Sequence, residues 1–366
     1  MTLHLYFARK FALAVLSLLA LFSIFLLLID MVEQIRNYDI GEITLTGAFH
    51  LAALNVPSSV YGILPLIVAL ATLVLFLGLA RTSELVVTRA AGRSALRSLA
   101  APVITALLFG VVTVAVLNPI VAGTRTAYDQ LSARQSQSAQ SVLSISDEGL
   151  WLRQGTPEGQ MVIRAARANF DGTRLYDVTF LAFGPDGSPD FRIAATSAEL
   201  TSGAWELRRA KRWDLGAGTD NPERDATVYP QFRLDSDLTR ERIRDSFGTP
   251  SAIPIWELPE FIDDLEHAGF SARQHRVWLQ MELSLPLLFA AMVLIGAGFT
   301  MRHIRFGRTG TMVMLALGLA LALYFLRNFA QVLGENGQIP VPLAAWAPPV
   351  AGIFFALGLL LHLEDG

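Results

Sequence analysis

The sequence has no cysteine in its 366 residues and only two lysines, Lys10 and Lys211. Disulfides, thiolate nucleophiles and thiolate metal ligands are therefore excluded. The scarcity of lysine excludes a Walker A loop, whose Gly-Lys pair is followed by Ser or Thr so that the lysine bonds the β- and γ-phosphates. Lys10 is followed by Phe11 and Lys211 by Arg212, and neither follows a glycine. If ATP drives this protein, a partner hydrolyses it. Charged residues are also few, 17% of the chain, against roughly 25% in an ordinary soluble domain. A net charge of −3 gives no reason to expect a nucleic acid partner. No HExxH, GxSxG or His pair at metal spacing occurs, so the sequence specifies neither a catalytic constellation nor a metal site.

What is present is apolar: 52% of residues are hydrophobic and the mean hydropathy is +0.44. The charges are unevenly placed. Residues 124–276 hold 41 of the 61 Asp, Glu, Lys and Arg residues. The chain thus reads as a membrane protein carrying one water-soluble domain: a first transmembrane half over 1–123, a polar domain over 124–276, and a second transmembrane half over 277–366.

About 20 apolar residues span a bilayer as a helix. Phe11–Ile29 is free of charge and makes span one. Its length, and the lack of a small-x-small site after Ile29, favour a retained helix over a cleaved signal. Residues 43–80 carry no charge either; Pro57 and Pro65 predict an entry segment, then a helix from about Tyr61 to Ala80 as span two. Leu99–Ala122, Val277–Met301, Thr309–Val332 and Ala345–Leu363 are spans three to six. Arg9, Lys10, Arg81, Arg89, Arg93, Arg97, Arg302, Arg305 and Arg308 fall in short segments on one side, against Arg36 alone on the other. The positive-inside rule places the first set, and both termini, in the cytoplasm. Residues 124–276 are then expected on the far side.

That domain opens with a polar stretch, 134–144. Short alternating runs follow at Met161–Arg164, Leu175–Phe183, Phe191–Leu200, Trp205–Arg208 and Thr227–Leu234, separated by turns such as Pro185-Asp186-Gly187-Ser188. This pattern predicts an antiparallel all-β domain of six to eight strands, as a sandwich, jelly roll or partly open barrel. Trp205 and Trp213 are expected in its core. After Pro259, the spacing of Phe261, Ile262, Leu265 and Ala268 predicts a short amphipathic helix stopped by Gly269.

Four places carry chemistry. The stretch ARTSELVVTRAAGRSALRSL after span two predicts a short helix N-capped by Ser83, with Glu84 in its first turn. Leu85, Arg89 and Arg93 would give it a basic and apolar face. It is either a turn lying on the membrane or a docking helix for a cytoplasmic ATPase. At the end of span one, Asp30, Glu33 and Asn37 share a face and Arg36 lies three residues from Glu33, which suits an interfacial ion pair or a polar headgroup. Glu282 and Arg327 sit inside apolar runs, where a charge is costly and faces a bundle interior; they suit a mutual ion pair, or Arg327 meets an anionic lipid. Arg125 and Arg134, just beyond span three, are placed to meet phosphates or solvent.

Three spans, a β-rich domain and three more spans resemble the LptF/LptG family of lipopolysaccharide-export permeases over essentially the whole chain. The most specific pieces are ARTSELVVTRAAGRS after span two, SISDEGLWLRQG at the start of the β domain and WLQMELSLPL leading into span four. The segment from Asp30 to Arg36 and the ending IPVPLAAWAPPVAGIFFALGLLLHLEDG are more similar to the G-type subunit. Where the family can carry cations at the end of span one, Asp30 and Glu33 stand here and leave Arg36 as the only cation. The resemblance implies a membrane α-helical bundle of six helices with an inserted jelly-roll-like domain in the periplasm. It implies a permease subunit of an ABC transporter in the bacterial inner membrane, not itself an enzyme. Its partners would be a paralogous LptF-like permease, a cytoplasmic LptB-like ATPase dimer, which uses ATP and Mg, and a periplasmic LptC/LptA-like bridge; this chain would hold no cofactor. Ser83-Glu84-Leu85 matches the family's coupling helix, expected over about 81–98. Glu84, Leu85, Arg89 and Arg93 are the candidate coupling residues, and Arg36, Arg125, Arg134 and Arg327 the candidate contacts to lipopolysaccharide. A lipid-modifying membrane enzyme, and a subunit that moves a periplasmic partner without passing substrate, are the competing classes.

Overall fold

The structure, a computed structural model, describes residues 2–37, 44–84, 87–88, 95–135, 143–146, 149–156, 159–169, 173–201, 203–216, 221–236, 238, 249–267, 271–301 and 309–364. Six of its helices are long and apolar enough to cross a membrane: Leu3–Arg36, Leu45–Arg81, Arg97–Ser132, Arg273–Thr300, Gly310–Glu335 and Val341–His362. These are spans one to six. They run beyond the apolar cores that predict them, because a helix keeps its own backbone bonds as it leaves hydrocarbon. Span two corrects one expectation. It is a single helix from Leu45 to Arg81 with Pro57 and Pro65 inside it, as membrane helices tolerate when neighbouring groups take up the freed carbonyls. Span three comprises helical segments Ala95–Val112 and Asn118–Gln135 on either side of a π-helical turn, Thr113–Leu117.

Two compact units form. One comprises residues 1–129, 251–256 and 273–366; the other comprises 130–250 and 257–272. In the first, span four is central and packs against spans two, three, five and six, whereas span one packs chiefly on spans two and three. Small residues permit the approach. A Cβ at Gly110 in span three would lie 2.5 Å from Pro286 Cα in span four. One at Gly296 would lie 2.9 Å from Thr72 Cγ2, and one at Gly352 2.7 Å from Leu323 Cδ2. Lipid gives no hydrophobic drive between helices, so such close van der Waals crossings supply the attraction. Span five ends in a Schellman turn. Gly337 takes φ +82°, and the Gln338 amide reaches Leu333 O at 2.9 Å. Arg273 closes the same end, donating to Gly334 O at 2.6 Å and Ile339 O at 2.7 Å.

The second unit holds a seven-stranded antiparallel sheet whose strands follow chain order. They are β1 (Leu143–Ser146), β2 (Gly149–Thr156), β3 (Gly159–Ala168), β4 (Arg174–Phe183), β5 (Pro189–Thr201), β6 (Ala204–Asp214) and β7 (Thr227–Asp235). The buried side chains do not keep a strict period of two. On β4 they are Leu175, Val178, Phe180 and Ala182; on β6 they include Trp205, Leu207 and Ala210. The alternation slips by one residue at Asp177 and Arg209, both at φ 50°, while the pairing with β5 keeps its register on either side of them. The one register shift in these pairings lies between Ala182 and Phe183. A helix, Leu258–His267, follows the sheet, as the spacing after Pro259 predicts.

Of the two tryptophans expected in the core, one is there. Trp205 is fully buried, edge-on to Phe180 at 6.1 Å. Trp213 instead lies half-buried on the sheet surface, with Arg192 and Lys211 over its ring and its indole N–H on Glu223 at 2.6 Å. Trp205→Ala is therefore expected to cost about 3–5 kcal/mol. Hydrogen exchange of β4–β6 in the full chain should register that loss, and Trp213→Ala should leave the protection of these strands nearly unchanged.

Candidate functional site

Glu282 lies in the interior of the bundle, 1% exposed. Burying a carboxylate is tolerable only when its oxygens are hydrogen-bonded. Tyr61 of span two donates its hydroxyl to Glu282, and Asn118 of span three donates its amide at 3.4 Å. The Asn118 carbonyl oxygen in turn accepts from the Ile255 amide at 2.9 Å. Asn118 follows directly on the π-helical turn, and Ala115 O within that turn accepts from the Trp256 indole at 3.2 Å. Thr126 and Ala252 O make a third contact, at 3.4 Å. Span three thus pins the segment 251–256 by three hydrogen bonds, the one through Asn118 continuing to Glu282.

Glu282 and Arg327, expected as an ion pair, feel each other's charge but do not close into a contact pair. Among the described residues, no ion pair within 4.0 Å involves Arg327. Its Nε is buried and has no hydrogen-bond partner. Tyr61 and Asn118, from two other spans, both meet Glu282 at Oε2. What remains is a guanidinium in a membrane helix with unused donor capacity.

At the end of span one, Asp30 and Gln34 are buried while Glu33 and Arg36 are exposed. Glu33 and Arg36 form no ion pair among the described residues, so the interfacial pair expected there does not form. Gln34 Nε2 instead donates to the Tyr128 hydroxyl of span three at 3.1 Å. Arg125 lies over the Tyr128 ring, 5.7 Å from its centroid, and pairs with Asp129 one turn on at 3.5 Å. Arg134 falls within the helix to Gln135, and its side chain lies outside the described residues.

Beyond span two, Glu84 follows a tight turn in which Ser83 takes φ 62°. That is not the extended backbone of an N-cap, which corrects the role expected of Ser83. Lys10 Nζ donates to both Glu84 oxygens, at 2.9 and 3.2 Å, and Thr82 Oγ1 donates to one at 2.9 Å. Partial burial pushes the Glu84 carboxyl up, but the bonds from Lys10 and Thr82 outweigh it and hold it below the usual carboxylate range. Leu85, Arg89 and Arg93 lie outside the described residues. Among the described residues no cluster of three metal-ligating side chains occurs.

The sequence model of the family "Lipopolysaccharide export system permease LptF/LptG" matches residues 5–362. The chain belongs to the LptF/LptG family. It is 24% identical over 340 residues to the lipopolysaccharide export system permease protein LptG of Escherichia coli strain K12, covering 92% of this chain and 91% of that one. LptG of Escherichia coli O6:H1 strain CFT073 gives the same figures. Six spans and this membership support a multi-pass inner-membrane protein. Within this LptF/LptG chain, Lys10, Tyr61, Asn118 and Tyr128 are the polar residues that sequence reasoning missed. Lys10 carries one visible signal, as one of only two lysines; the others look like ordinary interfacial residues until their partners are in place.

Proposed function

We propose that this chain is a permease subunit of an ABC transporter that extracts lipopolysaccharide from the inner membrane. The family match across residues 5–362 carries the reading. The chain pairs with a paralogous permease, and a cytoplasmic ATPase dimer supplies ATP hydrolysis with its Mg. The β domain stands in the periplasm and passes the lipid to a bridge towards the outer membrane. Each methylene of an acyl chain left in water costs about 0.8 kcal/mol, so a sheet with an apolar face gives the lipid a path that avoids water. Arg327 is the best-placed cation for a lipid phosphate, because its Nε has no hydrogen-bond partner and a guanidinium binds phosphate through charge-assisted bonds. Arg125 is the weaker candidate, being held by Asp129 and Tyr128. Arg36 is exposed and open to a headgroup.

Two measurements test this. A reporter fused at Gly366 is expected to be cytoplasmic and one inserted near Gly218 periplasmic; the opposite pattern contradicts the topology. A photocrosslinker at position 327 is expected to capture lipopolysaccharide in the working complex. Capture at 36 or 125 with none at 327 would move the phosphate contact away from Arg327.

A further inference from the structure

Span one buries side chains near its two ends and none between them. Phe7, Phe11 and Val15 are buried near one end and Asp30 and Gln34 near the other, while no residue from 16 to 29 is buried. A polar tie closes each end. Lys10 grips Glu84 by two hydrogen bonds and lies 4.5 Å from the centroid of the Tyr6 ring. Gln34 holds Tyr128 at 3.1 Å. At 1.5 Å per residue the two ties stand about 36 Å apart along one uninterrupted helix. An ion pair that stays partly open to solvent adds little to stability, so the consequence of the Lys10 tie is geometric. It fixes the turn Thr82–Glu84 to the span that is least buried of the six.

We propose that Lys10 is a positioning residue that clamps the coupling segment to span one, so that seating of the ATPase is carried along span one to the Gln34–Tyr128 contact and Arg36. The proposal rests on the permease reading above. The Glu84 carboxylate is the shared element. It meets Lys10 within the chain, and an ATPase cation drawn to it would compete for or join the same pair. Either event acts on Lys10, and span one is stiff enough to pass a displacement on.

The absence of native cysteine makes a clean test available. Spin labels at Ile35→Cys in span one and Ile120→Cys in span three, both exposed positions, are read in the assembled complex in nanodiscs. Distances are taken with and without ATP and vanadate, and lipopolysaccharide release per ATP hydrolysed is measured on the same variants without labels. The unsubstituted chain is expected to change its label distance with nucleotide. Lys10→Met is expected to lose that change and to lower release per ATP by about tenfold, with ATPase co-purification retained; Lys10→Arg is expected to keep both. If Lys10→Met does not assemble, Lys10→Gln, which keeps a donor without the charge, is read in its place with the same expectation. An unchanged distance response, or unchanged release per ATP, in the uncharged variant overturns the clamp while leaving the permease reading intact. If the unsubstituted complex releases no lipopolysaccharide on adding ATP, the permease reading and the clamp fall together.

Discussion

Gly110→Leu is expected to disrupt the helical bundle. The crossing of spans three and four brings backbone to backbone: a Cβ at 110 would meet Pro286 Cα at 2.5 Å, Cβ at 2.9 Å and N at 3.1 Å. None of these atoms is the mobile end of a side chain, so one helix has to shift. Overpacking in a well-packed interior costs about 1–3 kcal/mol and occasionally more, and a clash with backbone belongs at the upper end. Gly318 in span five is the control, since a Cβ there would meet nothing within 4 Å. Gly318→Ala is expected to be neutral or stabilising by about 0.5–1 kcal/mol. Thermal unfolding of the two variants in the same detergent separates them. Equal midpoints would mean that the span three–span four crossing is looser than the distances indicate.

Asn118→Leu is expected to be the next most damaging change. Asn118 uses both ends of its amide, donating to Glu282 and accepting from Ile255. Leucine keeps the volume and removes both, leaving a buried amide N–H and a carboxylate with one partner fewer. Each group left unsatisfied costs about 1–3 kcal/mol, more where it is charged. Glu282→Gln differs in kind. It keeps an acceptor for Tyr61 and Asn118 and removes the buried charge, whose solvation penalty is itself several kcal/mol. It is expected to leave the thermal midpoint unchanged or raised while Asn118→Leu lowers it. The reverse order would show that the charge of Glu282, rather than its hydrogen bonds, holds the three spans together.

The helical half of the fold was legible because hydrocarbon thickness imposes a length on each span, and six apolar runs of that length are written in the chain. The helix ends were less so, since Thr2–Lys10 and Asp30–Asn37 continue a helix that the apolar window does not require. The prolines of span two misled for a related reason. Pro57 and Pro65 read as a break by the rules of soluble helices, yet a membrane bundle accommodates them. Five of the seven strands stood out by alternation. The β1–β2 hairpin, Leu143–Ser146 and Gly149–Thr156, was not named from its pattern, because it is short and mixed in polarity. The positive-φ residues Asp177 and Arg209, where the buried alternation slips, left no mark that a sequence period reveals.

The candidate site was legible in its cost and not in its pairing. Glu282 and Arg327 stood out as charges in apolar runs, and the simplest inference joined them. Tyr61 and Asn118 occupy Glu282 instead, from positions 221 and 164 residues away in sequence, and the Ile255 amide holds Asn118 in turn. Such partners are set by how spans three and four cross at Gly110 and Pro286, which no local pattern encodes.

The central claim is that this LptF/LptG chain moves lipopolysaccharide with energy supplied by a partner. The direct measurement uses proteoliposomes holding this chain, its paralogous permease and the cytoplasmic ATPase, with lipopolysaccharide in the bilayer and a soluble bridge protein outside. On adding ATP and Mg, lipopolysaccharide is expected to appear on the bridge, and to fail to appear when this chain is omitted or when the ATPase cannot hydrolyse ATP. Release that proceeds equally without this chain, or hydrolysis without any lipopolysaccharide reaching the bridge, would contradict the claim.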